Sequence, residues 1–291
     1  MGIFLTVAGI AVLTIGLLDM FHTLLHPSGK GLLSGLVLSG VWRVSKTTGH
    51  RLSSAVGPAA MVTAILLWVA LQGVGWALIY FPHVPDGFLY SSGINPAAYP
   101  DFTEALYISF VNLATLGFGD VVPTDPWIRL ASPLEALTGF ALLTAAMTWF
   151  TQVYPPLSRR RTLALQLNDL AETDYAEEIA TVNGVTASRV IDNLASEIRK
   201  VQVDFIQHTE GFYFLEQNPN LSLARQLPYA LRLRDTAWDS PDAVVHSSAQ
   251  QLSLALEQLA TTLSNTFLNT GQRPAEVFAA YAAEHRQQPR G

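Results

Sequence analysis

The stretch that decides the fold is TLGFGDVVPTD, Thr115 to Asp125. Two glycines bracket one aromatic, an acid follows at once, and a proline lies within the turn that closes the run. On either side the chain is strongly apolar. In an ordinary strand, successive carbonyls point to alternate sides. Several can face one axis only if residues alternate between left- and right-handed backbone, and glycine visits the positive-φ region most cheaply. Gly117 and Gly119 permit that alternation across Thr115-Leu116-Gly117-Phe118-Gly119. Stacked rings of such carbonyls replace the water around a dehydrated monovalent cation, and Thr115 adds its hydroxyl as an innermost ligand.

The residues before this stretch read YPDFTEALYISFVNLA. Asp101 and Glu104 have capping-box spacing, with Asp in place of Ser or Thr, and Leu106, Phe110 and Leu113 continue at helical spacing. They predict a short helix over 101–113, whose Phe102–Leu113 part is about 18 Å long at 1.5 Å per residue. That reaches only partway through a bilayer. A half-helix followed by glycine-rich backbone at membrane depth is a re-entrant loop, which survives there only when protein or a water-filled cavity covers it. The helix also points its negative C-terminal end at the cation axis.

The remaining chain supplies the membrane. Of 291 residues, 49% are hydrophobic and 14% charged, too apolar for an ordinary soluble domain and too charged to lie wholly in lipid. Residues 1–156 hold five Lys or Arg and seven Asp or Glu, whereas 157–291 hold twelve and sixteen. A membrane part therefore precedes a soluble one. Spans of roughly 20 apolar residues are required, and three segments qualify: Ile3–Leu25, Ala59–Phe81 and Ala131–Tyr154. The first lacks the basic leader and cleavage site of a signal peptide. Lys30, Arg43, Lys46 and Arg51 lie between the first two spans, and Arg159, Arg160 and Arg161 follow the third. Basic residues collect on the cytoplasmic side, so the N-terminus is expected outside and the C-terminal part inside. Leu32–Val44 is too short to span and reads as an amphipathic interfacial helix. A net charge of −6 argues against nucleic-acid binding, which wants a basic stripe, and the absence of cysteine removes disulfides and thiolate metal sites.

TLGFGD resembles the selectivity-filter signature of potassium channels, T-V-G-Y-G-D. Its setting resembles theirs over residues 59–154: outer helix, pore helix, filter, proline-containing turn, inner helix. The resemblance implies potassium binding at Thr115, Leu116, Gly117 and Phe118, with Gly119 completing the filter and Asp120 behind it. Leu116 replaces the usual valine. Phe118 replaces the usual tyrosine, so a hydroxyl that often ties filter to pore helix is missing. Tyr107, eight residues before Thr115, stands where such channels often bond the filter aspartate. Val111 stands four before it, so a glutamate–aspartate pair behind the filter is missing. Gly139, twenty residues beyond Gly119, is a candidate gating hinge, or else a close-packing residue. With a single filter per chain, the four-fold ring implies a homotetramer. No arginine-repeat helix precedes the pore, so no voltage sensor is expected.

Other residues carry weaker signals. Glu135, costly inside a span, is expected near its outer end, bonding the back of the filter or the pore helix. Thr144, Met147 and Thr151 share one helical face as candidate cavity-lining residues. Pro155-Pro156 is expected to end the inner helix, and the three arginines after it to anchor topology or touch anionic lipid. Asp19, His22 and His26 fall on one helix face, as a candidate metal or pH site or as ordinary interfacial hydrogen-bonding groups. From Pro156 on, Val190, Ile191, Leu194, Ile198, Val201 and Phe205 keep a helical period, as do Leu252, Leu256, Leu259, Leu263 and Phe267. No nucleotide, calcium or zinc motif appears, and no nucleophile–base spacing stands out.

The expectation is thus an all-α, multi-pass plasma-membrane protein. Its domains are 1–57, with a first span and interfacial segment; 58–156, a pore domain with outer helix 59–81, pore helix 101–113, filter 115–120 and inner helix 131–154; and 157–291, a helical cytoplasmic domain. It would be a passive potassium channel rather than an enzyme, needing no cofactor beyond the permeant ion. Its partners would be the bilayer, its own copies and an unidentified cytoplasmic regulator. The rivals are a weakly selective cation channel and a membrane-anchored scaffold with a silent pore.

Overall fold

The structure, a computed structural model, describes residues 1–26, 31–49, 53–179 and 181–290. Lys30 and Arg51, two of the basic residues used for orientation, lie outside these. The described residues form α1 (Gly2–Leu24), α2 (Leu32–Thr47), α3 (Val56–Tyr80), β1 (Phe88–Tyr90), α4 (Asp101–Leu113), β2 (Val121–Pro123), α5 (Pro126–Glu172), α6 (Tyr175–Glu178), α7 (Gly184–Gln207), α8 (Leu223–Trp238), α9 (Ala243–Leu263) and α10 (Pro274–Glu284). Three helical stretches, 2–24, 53–83 and 126–172, are long and apolar enough to cross a membrane. The architecture is the all-α membrane protein expected, with one short hairpin added.

The chain forms two compact units that cut it differently from the three domains expected. One holds residues 1–40 and 60–151, the other 41–59 and 152–291. In the first, α1 packs on α3 through small residues. A Cβ on Gly9 would lie 2.5 Å from the Gly75 carbonyl oxygen, and one on Gly75 would lie 2.7 Å from the Leu13 side chain. Glycine is what lets these two backbones approach. Trp68 on α3 stacks near Trp149 on α5, ring centroids 5.2 Å apart. Tyr80, Ala105, Ile108 and Ile128 fill the core around α4.

Helix α4 has the expected bounds but not the expected cap. Pro100 takes the N-cap position and no side chain caps the helix. Asp101 and Glu104 occupy the first and fourth helical positions instead of the N-cap and the third, and the Glu104 amide donates to the Pro100 carbonyl at 3.1 Å. Asp101 and Glu104 still place negative charge in the first turn, where the helix dipole favours it.

The inner helix is longer at both ends than expected. It starts at Pro126 because Asp125 Oδ1 accepts from the Trp127 amide at 2.8 Å, with proline at the position that needs no donor. Pro155-Pro156 does not end it, and α5 runs on to Glu172. The two prolines remove helical donors, but the turns beyond them are held by burial of Leu157, Leu163 and Leu167. Arg160 adds two bonds to backbone carbonyls, of Gly211 at 2.6 Å and of Phe214 at 2.9 Å. Its neighbours also have protein partners, Arg159 with Asp204 and Arg161 with Glu216. These arginines therefore knit the second unit together, a use that their position after a span did not suggest.

That second unit is a helical domain in which α7, α8, α9 and α10 enclose one core. Ile191, Leu194, Ile198, Val201 and Phe205 of α7 meet Leu252, Leu256, Leu259 and Leu263 of α9, all buried, as the two helical periods require. Phe212 stacks on Phe267 with centroids 4.2 Å apart, so the aromatic run near 212–214 is core. The connector between the first two spans is built into this domain. Trp42 Nε1 donates to Glu284 Oε1 at 2.8 Å, and Lys46 Nζ pairs with Glu284 Oε2 at 2.6 Å.

Candidate functional site

The Thr115–Asp120 segment begins where α4 runs out of donors. The Thr115 amide donates to the Asn112 carbonyl at 2.8 Å and the Leu116 amide to that of Val111 at 2.9 Å, closing the last turn. The backbone then alternates in hand: φ is +56° at Thr115, +53° at Gly117 and +75° at Gly119. A Cβ built at Gly117 or Gly119 would meet nothing within 4 Å in the chain. Glycine is therefore required at these positions by the backbone torsion and not by crowding. Thr115 adopts the same region without that freedom, at a cost of about 1–2 kcal/mol, a feature that residue type alone did not signal.

Several bonds hold this conformation from outside. Tyr107 donates to Asp120 Oδ2 at 2.5 Å, joining α4 to the end of the segment. Ser91 donates its amide to the Asp120 carbonyl at 2.8 Å and its hydroxyl to the Gly119 carbonyl at 3.4 Å. Ser91 follows β1, which pairs antiparallel with β2 in the register Tyr90 to Val121 and Phe88 to Pro123. The hairpin thus clamps the C-terminal end of the segment. Neither strand was expected, because three residues are too few to show a period.

Glu135 is fully buried and lies between two helices. Its Oε2 accepts from the Tyr80 hydroxyl and its Oε1 from the Ser109 hydroxyl, both at 2.6 Å. Ser109 also lies 2.9 Å from the Gly73 carbonyl. The acid of α5 thus joins the outer helix to the middle of α4. Sequence reasoning placed Glu135 behind the pore helix but did not find Tyr80 or Ser109, whose spacing carries no signal of its own.

Gly139 lies against the C-terminal end of α4. A Cβ there would fall 1.8 Å from the Leu113 carbonyl oxygen, so no other residue fits without displacing one helix. Thr144, Met147 and Thr151 lie on the face of α5 that the chain leaves uncovered, Met147 being 65% exposed. An apolar cavity of about 370 Å³ opens beside Thr115 and Gly139, lined also by Ile65, Val69, Phe140 and Leu143.

Asp19, His22 and His26 are not brought together as a metal site. Among the described residues no group of three acids or histidines is placed to hold an ion. The Asp19 carboxylate, 5% exposed, is used otherwise. It accepts from the amides of Leu33 and Ser34 at 2.7 and 3.0 Å and from Trp68 Nε1 at 2.8 Å. A negative group at the start of α2 satisfies donors that a helix leaves open there. His22 Nδ1 lies 2.7 Å from the Leu18 carbonyl, and its ring centroid lies 5.4 Å from that of His26.

With this geometry in view, comparison with known proteins is informative. Residues 63–154 match the model of a family described as "Ion channel". This segment is similar to that family. The match runs from α3 through α4 and the 115–120 segment to α5. The uncharacterized membrane protein YdjJ of Bacillus subtilis is 27% identical over 162 residues, 54% of this chain and 46% of that protein. The two pore potassium channel c of rice, Oryza sativa subsp. japonica, is 32% identical over 87 residues, 30% of this chain and 18% of that protein. The chain spans less than half the length of each of these relatives. No solved structure matches it.

Proposed function

We propose that the protein is a homotetrameric, potassium-selective channel of the plasma membrane, conducting passively through Thr115–Gly119. The observation that carries this reading is the alternation of left-handed residues at 115, 117 and 119, which turns consecutive carbonyls toward one side. Four copies around an axis would then offer stacked oxygen rings at Thr115, Leu116, Gly117 and Phe118, with the Thr115 hydroxyl innermost. The resemblance of residues 131–154 to an inner helix supports Thr144, Met147 and Thr151 as lining of the cavity below. Gly139 serves as the packing contact with α4, and a hinge there would have to open that contact. The N-terminus lies outside and the helical domain in the cytoplasm, where it modulates the gate in response to a ligand or partner. The rice relative, a potassium channel by its description, supports the choice of ion.

The test is potassium flux through purified protein in liposomes, with sodium as competitor. Gly117→Ala places a Cβ on a φ of +53°, which costs about 1 kcal/mol or more per copy, and is expected to abolish selective flux. The mass of the detergent-free particle should equal four chains. A second reading, a weakly selective cation channel, is favoured by Phe118, which is 64% exposed and has no hydroxyl to fix its ring. Equal potassium and sodium flux, made selective by Phe118→Tyr, would establish it.

A further inference from the structure

A cavity of about 360 Å³ lies within the helical domain, between the C-terminal turns of α5 and the N-terminal half of α7. Each helix gives it two polar side chains over an apolar floor. From α5 come Gln166 and Asp169, three apart and therefore on one face, with Leu170 beside them. From α7 come Arg189 and Asn193, four apart, with Val190 and Leu194 alongside. Leu194 is buried and Leu170 and Val190 are half-buried, whereas Asp169, Arg189 and Asn193 are exposed. Among the described residues, Asp169 and Arg189 form no ion pair with each other or with a neighbour, and neither side chain has a hydrogen bond. The next acid along α5, Glu172, is already paired with Arg290 at 2.8 Å. Gln166 Oε1 is buried and has no donor, a state that costs stability.

The walls select among ligands by their chemistry. One guanidinium and one carboxylate leave the cavity without net charge, so a polyanion such as a nucleoside triphosphate would meet Asp169 with only Arg189 to offset it. A single carboxylate is too few for a calcium or magnesium ion, which takes about six oxygens or more. A wholly apolar molecule would cover Asp169 and Arg189 without giving either a partner, at a cost in desolvation. A quaternary ammonium wants aromatic faces, and the lining residues are not aromatic. What fits is a small molecule with both signs of charge at one end and hydrocarbon at the other. We propose that this cavity binds a free amino acid with an aliphatic side chain. The ligand carboxylate takes the forked N–H groups of Arg189 and an N–H of Asn193. The ligand ammonium donates to Asp169 and to Gln166 Oε1, which gains the donor it lacks. The side chain covers Leu170, Val190 and Leu194. The volume suits such a ligand, since small-molecule sites run from about 300 to 1,000 Å³. Binding stands by itself, and only its effect on flux rests on the reading of residues 115–119 as a potassium filter.

The experiment measures direct binding of radiolabelled L-leucine to the purified full chain in detergent. Two analogues each lack one charge: isocaproate has no ammonium and isoamylamine has no carboxylate. L-leucine is expected to bind saturably, and either analogue about tenfold or more weakly, the loss of one charged contact. Arg189→Gln should weaken leucine and isocaproate and leave isoamylamine unchanged. Asp169→Asn should weaken leucine and isoamylamine and leave isocaproate unchanged. Both side chains are exposed, so the variants should keep the wild-type melting temperature. The proposal is overturned by the absence of saturable leucine binding, by analogues that bind as tightly as leucine, or by a leucine affinity that neither variant lowers. Potassium flux in liposomes then separates the site from the gate. Flux that L-leucine alters in wild type but not in Arg189→Gln makes the amino acid a regulator of the channel. Unaltered flux overturns that regulation and keeps the site, whereas binding without flux under any condition counts against the filter and not against the cavity.

Discussion

Replacing Gly139 by alanine sets two physical effects against each other. If Gly139 were merely a flexible point in α5, alanine would improve helix propensity by about 1 kcal/mol and raise the melting temperature. The structure points the other way. The new Cβ would lie 1.8 Å from the Leu113 carbonyl oxygen, 2.7 Å from its carbonyl carbon and 3.1 Å from its Cα. Carbons in contact rest about 3.5 Å or more apart, and the obstacle here is backbone, which cannot swing aside. Relief requires α5 and the end of α4 to separate by about 1.5 Å. Overpacking of this kind costs about 1–3 kcal/mol, which exceeds the gain in propensity. The net loss should lower the melting temperature of the detergent-solubilised protein by a few degrees, at about 2–4 °C per kcal/mol for a chain of this size. Leu113 is also two residues before Thr115, so the displacement reaches the filter and the ratio of potassium to sodium flux should fall with the melting temperature. Gly139→Ser should be worse than alanine. A melting temperature equal to or above wild type, with selectivity retained, would refute the packing argument and leave the hinge as the role of this residue.

Two further outcomes follow from buried bonds. Asp19→Ala leaves the Leu33 and Ser34 amides and Trp68 Nε1 without an acceptor, at about 1–3 kcal/mol for each buried donor; chemical denaturation should show a loss well above that of Trp68→Phe, which removes one donor only. Tyr107→Phe removes the bond to Asp120, worth about 1.5–3 kcal/mol when the acceptor is charged, and should shorten channel openings without changing the mass of the assembly.

Much of the backbone of residues 101–120 was legible in the sequence because its demands are local. Positive φ at Gly117 and Gly119 is written in residue type, and the bounds of α4 follow from its apolar spacing. What could not be read depends on partners distant in the chain. Asp19 read as part of a metal or pH site or as an interfacial hydrogen-bonding group, and its partners Leu33, Ser34 and Trp68 could not be named from spacing. Glu135 was anomalous until Tyr80 and Ser109 met it from two other helices. The clamp by Ser91 depends on strands too short to have a period. Pro155-Pro156 was misread for a related reason. A proline rule counts the local hydrogen bonds that are lost, but not the burial of Leu157, Leu163 and Leu167 beyond them, which is what keeps α5 continuous.

That continuity bears on how the helical domain is attached. The chain passes between the two compact units at residues 40–41, 59–60 and 151–152, and each passage falls inside a helix: α2, α3 and α5. None falls in a loop. Helices bend where their hydrogen bonds are missing. In α5 the prolines at 155 and 156 leave the carbonyls of Thr151 and Gln152 without their helical donors, and these are the two residues on either side of the passage. The turn of α5 that lacks these two donors is therefore its least supported one. Restoring the two donors with Pro155→Ala and Pro156→Ala would stiffen that turn while leaving every buried contact of Leu157, Leu163 and Leu167 in place.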